Sequence, residues 1–258
     1  MHPLHQKRAF ICDMDGVLYH GSRLLAGAKE FVRWLKQEGK QYLFLTNSSS
    51  RTPEELSRKL AGMGIDVSPE HFMTSGIATA SFLASQKPGG SAYVIGDNGL
   101  RQPLLEQGFR LTEEDPDYVV VGETVTYNYA QIEKAVNLVL GGAKLIGTNP
   151  DISGPVEAGI APACRALTAP IEIASGRQAY FIGKPNPLIM RHSLKRLACK
   201  REETVIIGDR MDTDIIAGIE SEIDTVLVLS GITREKDIAK FPYRPDYILS
   251  GVGDIPLL

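Results

Sequence analysis

Short apolar stretches alternate with helical patterns along almost the whole chain, and this alternation constrains the fold more than any other feature. Four of the apolar stretches are AFIC at 9–12, QYLFLT at 41–46, TVIIG at 204–208 and TVLVL at 225–229. Their β-branched and aromatic composition is typical of buried strands. Strands that alternate with helices pair mainly in parallel. The sequence therefore predicts an α/β fold with a mainly parallel sheet covered by helices.

Two breaks divide this alternation into an outer and an inner series. Pro88-Gly89-Gly90 closes the first set of helices, and Ser175-Gly176-Arg177 precedes the return of the original pattern. The inner series is about ninety residues long, a size that suits an inserted domain. We therefore expect residues 81–179 to form an inserted α/β domain, and residues 1–80 and 180–258 to form one core domain together.

Composition argues against several classes of protein. The chain has 258 residues, of which 43% are hydrophobic and 23% charged, so it can bury a sizeable core. A net charge of −3 gives no basic surface for nucleic acid, and no apolar run approaches the roughly 18–20 residues of a membrane span. The N-terminus has no apolar signal region, and Cys12, Cys164 and Cys199 form no zinc or disulfide pattern. We expect a cytoplasmic protein with no nucleic-acid or membrane partner.

Polar side chains recur at one structural place, the carboxyl end of an apolar strand or the turn that follows it. The positions are Asp13 with Asp15, Thr46 with Asn47, Lys184 in GKPNP, and Asp209 in IIGDRMDTD. In open α/β sheets this edge is where ligands bind. The recurrence predicts that these positions form one site.

The acidic positions suit a cation and a nucleophile. Asp13 and Asp15 stand two residues apart, so in an extended chain both carboxylates point to one side. Their repulsion calls for a cation, and Asp13 and Asp209 offer the oxygen ligands that Mg²⁺ prefers. A carboxylate such as Asp13 can attack phosphorus and form an aspartyl-phosphate. Asp15 can then protonate the leaving oxygen and activate water.

The neutral and basic positions suit a phosphate group. Thr46 and Asn47 offer a hydroxyl, an amide and backbone N–H groups at a turn, and Lys184 adds a positive charge. Each position also has an ordinary structural explanation. Thr46 and Asn47 can end a strand and cap a helix, and Lys184 can be a solvated turn residue. Asp209 and Asp214 can be acids that favour a helix start. The functional interpretation is favoured because the structural one requires four coincidences at one sheet edge.

The motifs together are similar to those of one family. DMDGVLYHG, FLTNSSS, GKPNP and IGDRMDTDI resemble, in order and spacing, the motifs of haloacid dehalogenase-like phosphohydrolases. The intervening segments VGETVTYN and GTNPD resemble the NagD-type subfamily, whose cap is inserted between the second and third motifs. The resemblance covers essentially the whole chain. It implies an α/β fold with a doubly wound parallel-sheet core and an inserted α/β cap domain, and Mg²⁺-dependent hydrolysis of phosphate monoesters.

Matched by motif position, the resemblance implies a role for each residue. Asp13 corresponds to the nucleophile and Asp15 to the general acid and base. The phosphate group would be bound by Thr46, Asn47 and Lys184. Mg²⁺ would be held by Asp13, the backbone carbonyl of Asp15, Asp209 and Asp214, the last expected to orient metal-bound water. Asp212 is an extra acid in the same motif that can equally begin the following helix.

One segment of the inserted domain is a candidate for reading the rest of the substrate. Residues 147–167 have the composition of a long Gly/Pro-rich loop, and such loops are often functional. Thr148, Asn149 and Asp151 offer polar contacts there, and 162–164 can form an apolar wall where a helix begins. The alternative is a packed loop that only links a strand to a helix. The resemblance implies nucleoside monophosphates or sugar phosphates as substrates, without choosing between them.

Two rival functions stay open on the sequence alone. One is a non-catalytic regulator that binds a phosphorylated metabolite, and the other is a phosphotransferase whose acceptor is not water. The intact pair of Asp13 and Asp15 argues against the regulator, because binding alone needs no acid at the second position. The predicted partner is a small-molecule phosphate monoester, and the oligomeric state, including a homo-oligomer, is open.

Overall fold

Two compact units make up the chain in a computed structural model that describes residues 2–156 and 159–258. The first unit consists of Met1–Thr46, Glu54–Met73 and Lys184–Leu258, and the second of Asn47–Pro53 and Thr74–Gly183. Contacts thus group the turn 47–53 and the segments 74–80 and 180–183 with the second unit. The assignment of a catalytic core and a substrate-selecting cap to these parts of the chain stays a prediction.

Helices and strands alternate in the order expected from the sequence. The helices are α1 (Pro3–Gln6), α2 (Ala28–Gln37), α3 (Pro53–Gly62), α4 (Ser75–Gln86), α5 (Asn98–Glu106), α6 (Tyr129–Leu140), α7 (Cys164–Ser175), α8 (Pro187–Leu197) and α9 (Ile216–Glu220). The strands are β1 (Ala9–Asp13), β2 (Tyr19–His20), β3 (Arg23–Leu24), β4 (Gln41–Thr46), β5 (Phe72–Thr74), β6 (Ser91–Ile95), β7 (Arg110–Leu111), β8 (Tyr118–Val121), β9 (Lys144–Gly147), β10 (Ser153–Val156), β11 (Gly159–Pro162), β12 (Tyr180–Phe181), β13 (Thr204–Gly208), β14 (Asp224–Val228) and β15 (Tyr247–Leu249). In the part of the chain described, no helix combines the length and apolar character that a membrane crossing requires.

The sheet of the first unit has the strand order β15-β14-β13-β1-β4-β5. β1 pairs in parallel with β13 on one side and with β4 on the other. Parallel pairing continues outward through β14 to β15. The order of strands therefore reverses at β1, so the carboxyl end of this strand lies at a topological switch point. The predicted α/β fold with a doubly wound parallel-sheet core is confirmed.

The core of the first unit includes apolar side chains on β1 and α2. Phe10 on β1 is fully buried, and its ring lies 6.3 Å from that of Phe31 and 5.4 Å from that of Trp34. Phe31 and Trp34 are three residues apart on α2, so both side chains lie on the face that packs against the sheet. Trp34 is partly buried against this core.

The second unit is an α/β unit inserted between segments of the first. Its sheet has the order β12-β9-β8-β6-β7, and all four pairings are parallel. The core includes the buried side chains of Ile95, Val119 and Val121, with Ile171 from α7. Helix α6 begins at a capping box in which Asn128 accepts a hydrogen bond from the backbone of Gln131 and Gln131 accepts one in return.

The expectation of an irregular loop over 147–167 is wrong. β10 and β11 form an antiparallel pair in this segment, with Ser153 opposite Pro162 and Val156 opposite Gly159. Pro and Gly usually argue against a strand, but proline is tolerated where a strand has a free edge, and both strands of a two-stranded sheet have one. Helix α7 begins at Cys164, as expected. Residues 157–158 of this segment lie outside the described residues.

We predict that Phe10→Ala lowers the free energy of unfolding by about 3–5 kcal/mol, because it removes a fully buried ring from a close-packed core. Ile173 is 83% exposed, so Ile173→Ala should change the stability by less than about 0.5 kcal/mol. Urea denaturation followed by circular dichroism measures both changes. Equal losses in the two variants would contradict the assignment of the core.

Candidate active site

The first acidic motif forms a tight turn after β1. The carbonyl oxygen of Met14 accepts a hydrogen bond from the backbone N–H of Leu18 at 2.8 Å. The backbone N–H of Gly16 donates to the carbonyl oxygen of Tyr19, also at 2.8 Å. Gly16 has a φ of +81°, a conformation that side chains with a Cβ rarely adopt. The turn therefore leaves Asp13 at the end of the sheet and carries the chain away from it.

The fourth motif places Asp209 one residue beyond β13, next to this turn. Asp209 is 2% exposed, and its Oδ2 accepts a hydrogen bond from the backbone N–H of Ile232 at 2.7 Å. A Cβ added to Gly16 would lie 2.5 Å from Oδ2 of Asp209, and one added to Gly231 would also overlap this carboxylate. Glycine at these two positions lets the backbone approach the carboxylate closely.

Lys184 connects two of the buried acids. Its Nζ lies 2.5 Å from Oδ1 of Asp13 and 2.5 Å from Oδ1 of Asp214, and its side chain is 3% exposed. The second oxygen of Asp214 accepts a hydrogen bond from the backbone N–H of Arg210 at 3.1 Å. A wide helical turn at Met211–Ile215 brings Asp214 inward before α9 begins. The lysine thus holds the first, third and fourth motifs together.

Three carboxylates face one another around this lysine. Asp13, Asp209 and Asp214 each offer an oxygen, and these oxygens lie within 4.8 Å of one another. Burial, with the charges of Asp214 and Asp209, raises the pKa of Asp13, although Lys184 lowers it. Burial and the charge of Asp214 raise the pKa of Asp209 to about 6. Burial would lower the pKa of Lys184, but Asp13 and Asp214 raise it, so the lysine stays charged. One ammonium does not offset three carboxylates, so the cluster fits a divalent cation that prefers oxygen ligands.

The other two acids of these motifs lie outside the three-carboxylate cluster. The Asp15 side chain is 49% exposed, and its Oδ1 lies 3.4 Å from Nδ1 of His20. Asp212 is directed to Arg210, whose Nη2 donates to Oδ2 of Asp212 at 2.8 Å. Burial would raise the pKa of Asp212, but the hydrogen bonds and charge of Arg210 lower it. Asp212 is therefore an ion-pair partner of Arg210, not a member of the cluster.

The second motif is divided between the two units. Thr46 follows Leu45, the register partner of Asp13, and so lies at the same carboxyl edge of the first sheet. Asn47 belongs to the inserted unit, where its Nδ2 donates to Oδ2 of Asp151 at 2.8 Å. The structure therefore brings together Asp13, Lys184, Asp209 and Asp214, and it leaves Asn47 in a polar network of its own unit.

Sequence reasoning missed two polar residues near these motifs. His20 lies beside Asp15 because the tight turn over 14–19 brings the chain back, with the backbone N–H of Gly16 donating to the carbonyl oxygen of Tyr19. Only the proximity of the two residues in the sequence could have indicated the pair. Glu123, after β8, accepts hydrogen bonds from the second-motif turn. Its position after the apolar stretch YVVVG is the same signal that was used for the other strand ends.

Comparison with known proteins assigns the fold and motifs to a family. Residues 10–110 match the haloacid dehalogenase-like hydrolase family, and residues 181–255 match a HAD-hydrolase-like family. The chain belongs to the haloacid dehalogenase-like hydrolases. It is 43% identical to ribonucleotide monophosphatase NagD of Escherichia coli K12, across 96% of this chain and 98% of that protein. It is 44% identical to dihydroxyacetone phosphatase of Corynebacterium glutamicum, across 96% and 90% of the two proteins.

The solved structure of NagD supports the same assignment. It matches with a TM-score of 0.93 at 42% identity and covers 98% of this chain and 100% of that one. The prediction of a NagD-type member with an inserted α/β cap domain is confirmed. These relatives are named as phosphatases, and this haloacid dehalogenase-like hydrolase is a phosphoric monoester hydrolase. The alternative of a non-catalytic regulator is therefore set aside.

We predict that Gly16→Ala and Gly21→Ala differ in activity although both strain the backbone. Both glycines have a positive φ, so the backbone strain by itself should lower the free energy of unfolding by about 1–2 kcal/mol in each variant. A Cβ at Gly16 would meet Asp209, whereas nothing lies within 4 Å of a Cβ at Gly21. Displacing a carboxylate of the cluster should therefore lower kcat on the order of 100-fold in Gly16→Ala alone.

Steady-state hydrolysis of 4-nitrophenyl phosphate and urea denaturation of the two variants measure the effects. Similar kcat values in Gly16→Ala and the wild type would show that the close approach to Asp209 has no catalytic importance.

Proposed function

We propose that the protein is a Mg²⁺-dependent phosphatase that hydrolyses small phosphate monoesters through an aspartyl-phosphate on Asp13. The observation that carries this proposal is the contact of Lys184 with Asp13 and Asp214 in a buried cluster at the switch point of the sheet. A carboxylate in that place has a neighbouring positive charge to attract a phosphoryl group. The names of the relatives support the class of reaction.

The residues proposed to hold Mg²⁺ are Asp13, Asp209, the backbone carbonyl of Asp15 and Asp214. The fit rests on the surplus negative charge of the cluster and on its oxygen-only donors. When bound, the cation would neutralise charge on the transferring phosphoryl group.

Lys184 prepares Asp13 as the nucleophile. Its ammonium group hydrogen-bonds to Oδ1 of Asp13 and so limits the rise in pKa that burial causes in this carboxylate. The contact also fixes the orientation of the carboxylate at the end of β1. In the first step an oxygen of Asp13 forms a bond to phosphorus while the bond from phosphorus to the ester oxygen breaks.

Asp15 is proposed to move the proton in both steps. It stands two residues after Asp13, the last residue of β1, and its half-exposed side chain is open to solvent and, as we propose, to the leaving group. As an acid it would give its proton to the departing alcohol oxygen. As a base it would take a proton from the water that attacks the aspartyl-phosphate, releasing inorganic phosphate and restoring Asp13.

The phosphate-binding role of Thr46, Asn47 and Lys184 rests on their motif positions and on their donor groups. The substrates we propose are nucleoside monophosphates or sugar phosphates. The relatives named as a ribonucleotide monophosphatase, a dihydroxyacetone phosphatase and acid sugar phosphatases support small phosphate monoesters as a class. The cytoplasmic location stays a prediction, and the oligomeric state stays open.

We predict that Asp13→Asn abolishes phosphate release from a panel of nucleoside monophosphates and sugar phosphates, because an amide cannot form the phosphorylated intermediate. EDTA should also stop the wild-type reaction, and Mg²⁺ should restore it. Asp212→Asn is the matched control: its carboxylate contacts Arg210 outside the cluster, so its kcat/KM should stay within about twofold of the wild type.

Inorganic phosphate and remaining substrate are both quantified in this assay. Metal-independent release, or turnover retained in Asp13→Asn, would contradict the proposed nucleophile or metal. Loss of substrate in excess of phosphate released would indicate transfer to an acceptor other than water.

We predict that the effect of Asp15→Asn depends on the leaving group. Its kcat/KM for an alkyl phosphate such as ribose 5-phosphate should fall about 10²–10⁴-fold, because general acid catalysis of the first step is lost. The decrease for 4-nitrophenyl phosphate should be smaller, because 4-nitrophenolate leaves without a proton. Equal decreases for both esters would contradict the role of Asp15 as the acid.

A further inference from the structure

Glu123 is a partly buried acid that the proposed mechanism does not use. It lies two residues beyond β8 in the inserted unit. Its Oε2 accepts hydrogen bonds from Oγ of Ser48 at 2.7 Å and from the backbone N–H of Ser49 at 3.2 Å. Its Oε1 accepts one from Nδ2 of Asn149 at 3.1 Å. Three donors from two segments therefore converge on one carboxylate.

A second set of contacts joins the same turn to the ends of β8 and β9. Oγ of Ser49 accepts hydrogen bonds from the backbone N–H of Glu123 and from Oγ1 of Thr148, each at 3.1 Å. Nδ2 of Asn149 also donates to the carbonyl oxygen of Asn47 at 2.7 Å. Ser49, Thr148 and Asn149 are fully buried. Thr148 and Asn149, expected from the sequence to contact substrate, instead hold the turn from inside the unit.

The network requires a carboxylate at its centre. Oδ1 of Asn149 accepts the backbone N–H of Asp151 at 3.1 Å, so the Asn149 amide cannot flip without losing this bond and the one to Asn47. A glutamine at 123 could keep its oxygen towards Ser48, but its NH₂ group would then face the NH₂ group of Asn149. A buried donor without an acceptor is costly.

We propose that Glu123 is a positioning residue: its carboxylate sets the conformation of the turn 47–49 and thereby the affinity of the enzyme for the phosphate group. This inference rests on the proposed function, which assigns phosphate binding to Asn47. Glu123 acts on Asn47 through Asn149 and through the backbone of the turn. It makes no contribution to the chemical steps assigned to Asp13 and Asp15.

Inhibition of the Mg²⁺-loaded enzyme by inorganic phosphate tests the inference. In Glu123→Gln we expect the Ki for phosphate and the KM for substrate to rise roughly tenfold, as loss of hydrogen bonds to a charged group implies. Ser48→Ala removes only one donor and should raise both constants less. It keeps the inference testable if Glu123→Gln fails to fold.

Asp117→Asn is the matched control. Asp117 stands immediately before β8, and Glu123 stands two residues after the end of β8. Asp117 accepts hydrogen bonds from the backbone N–H and Oγ of Ser91, at 2.8 and 2.9 Å. It has no contact with the turn among the hydrogen bonds described. Asp117→Asn should lower the thermal stability while leaving the Ki for phosphate within twofold of the wild type.

A double-variant comparison separates positioning from general loss of structure. In an Asn47→Ala background, Glu123→Gln should raise the Ki by less than twofold, because both substitutions remove the same phosphate contact. Additive tenfold effects would overturn the inference. So would a wild-type Ki in both Glu123→Gln and Ser48→Ala, or an equal rise in Asp117→Asn.

Thermal stabilisation by inorganic phosphate gives a readout that does not need turnover. If the wild type releases no phosphate from any ester, the proposed function fails. Loss of phosphate-dependent stabilisation in Glu123→Gln, but not in Asp117→Asn, would then still support the positioning role. Normal hydrolysis by the wild type with unchanged phosphate binding in Glu123→Gln would overturn the positioning role alone.

Discussion

The contact of Lys184 with Asp13 and Asp214 is the interaction on which the rest of the site depends. An ammonium group that is 3% exposed is stable only beside negative charge, and carboxylates this deeply buried are stable only beside positive charge. The lysine comes from the turn before α8, Asp13 is the last residue of β1, and Asp214 lies in the helical turn that follows β13. The site therefore forms only when the strands of the first sheet are correctly paired.

Charge in this cluster is balanced only in part, and the proposed metal binding depends on that imbalance. Three carboxylates face one lysine, and burial raises the pKa of both Asp13 and Asp209. A purely structural ion pair would be closer to neutral. The surplus negative charge makes the site receptive to a divalent cation, and the close approach of Gly16 and Gly231 to Asp209 leaves little freedom for the carboxylate to turn away.

Each of the two sheets places polar groups at the carboxyl ends of its strands, but the two sets differ in character. In the first unit the groups are charged and surround Lys184. In the inserted unit Glu123, Thr148 and Asn149 follow β8 and β9, and their hydrogen bonds are made to the turn that follows β4. The second set is therefore suited to holding a conformation, whereas the first is suited to chemistry.

The sequence by itself determined the α/β class, the parallel pairing, the inserted unit and the strand ends at Asp13 and Asp209. These features follow from local periodicity and from the types of residue at turns. Lys184, expected at the same sheet edge, instead follows β12, a strand of the second sheet. Only the tertiary structure decided that Asp214 faces Lys184 while Asp212 pairs with Arg210. Both acids stand in one helical turn, and residues two apart on such a turn point in different directions. It also revealed the β10–β11 pair and the hydrogen bonds of Glu123 to the turn that follows β4. The β10–β11 pair depends on free strand edges, and the hydrogen bond between Ser48 and Glu123 joins residues 75 positions apart. No local pattern in the sequence encodes either feature.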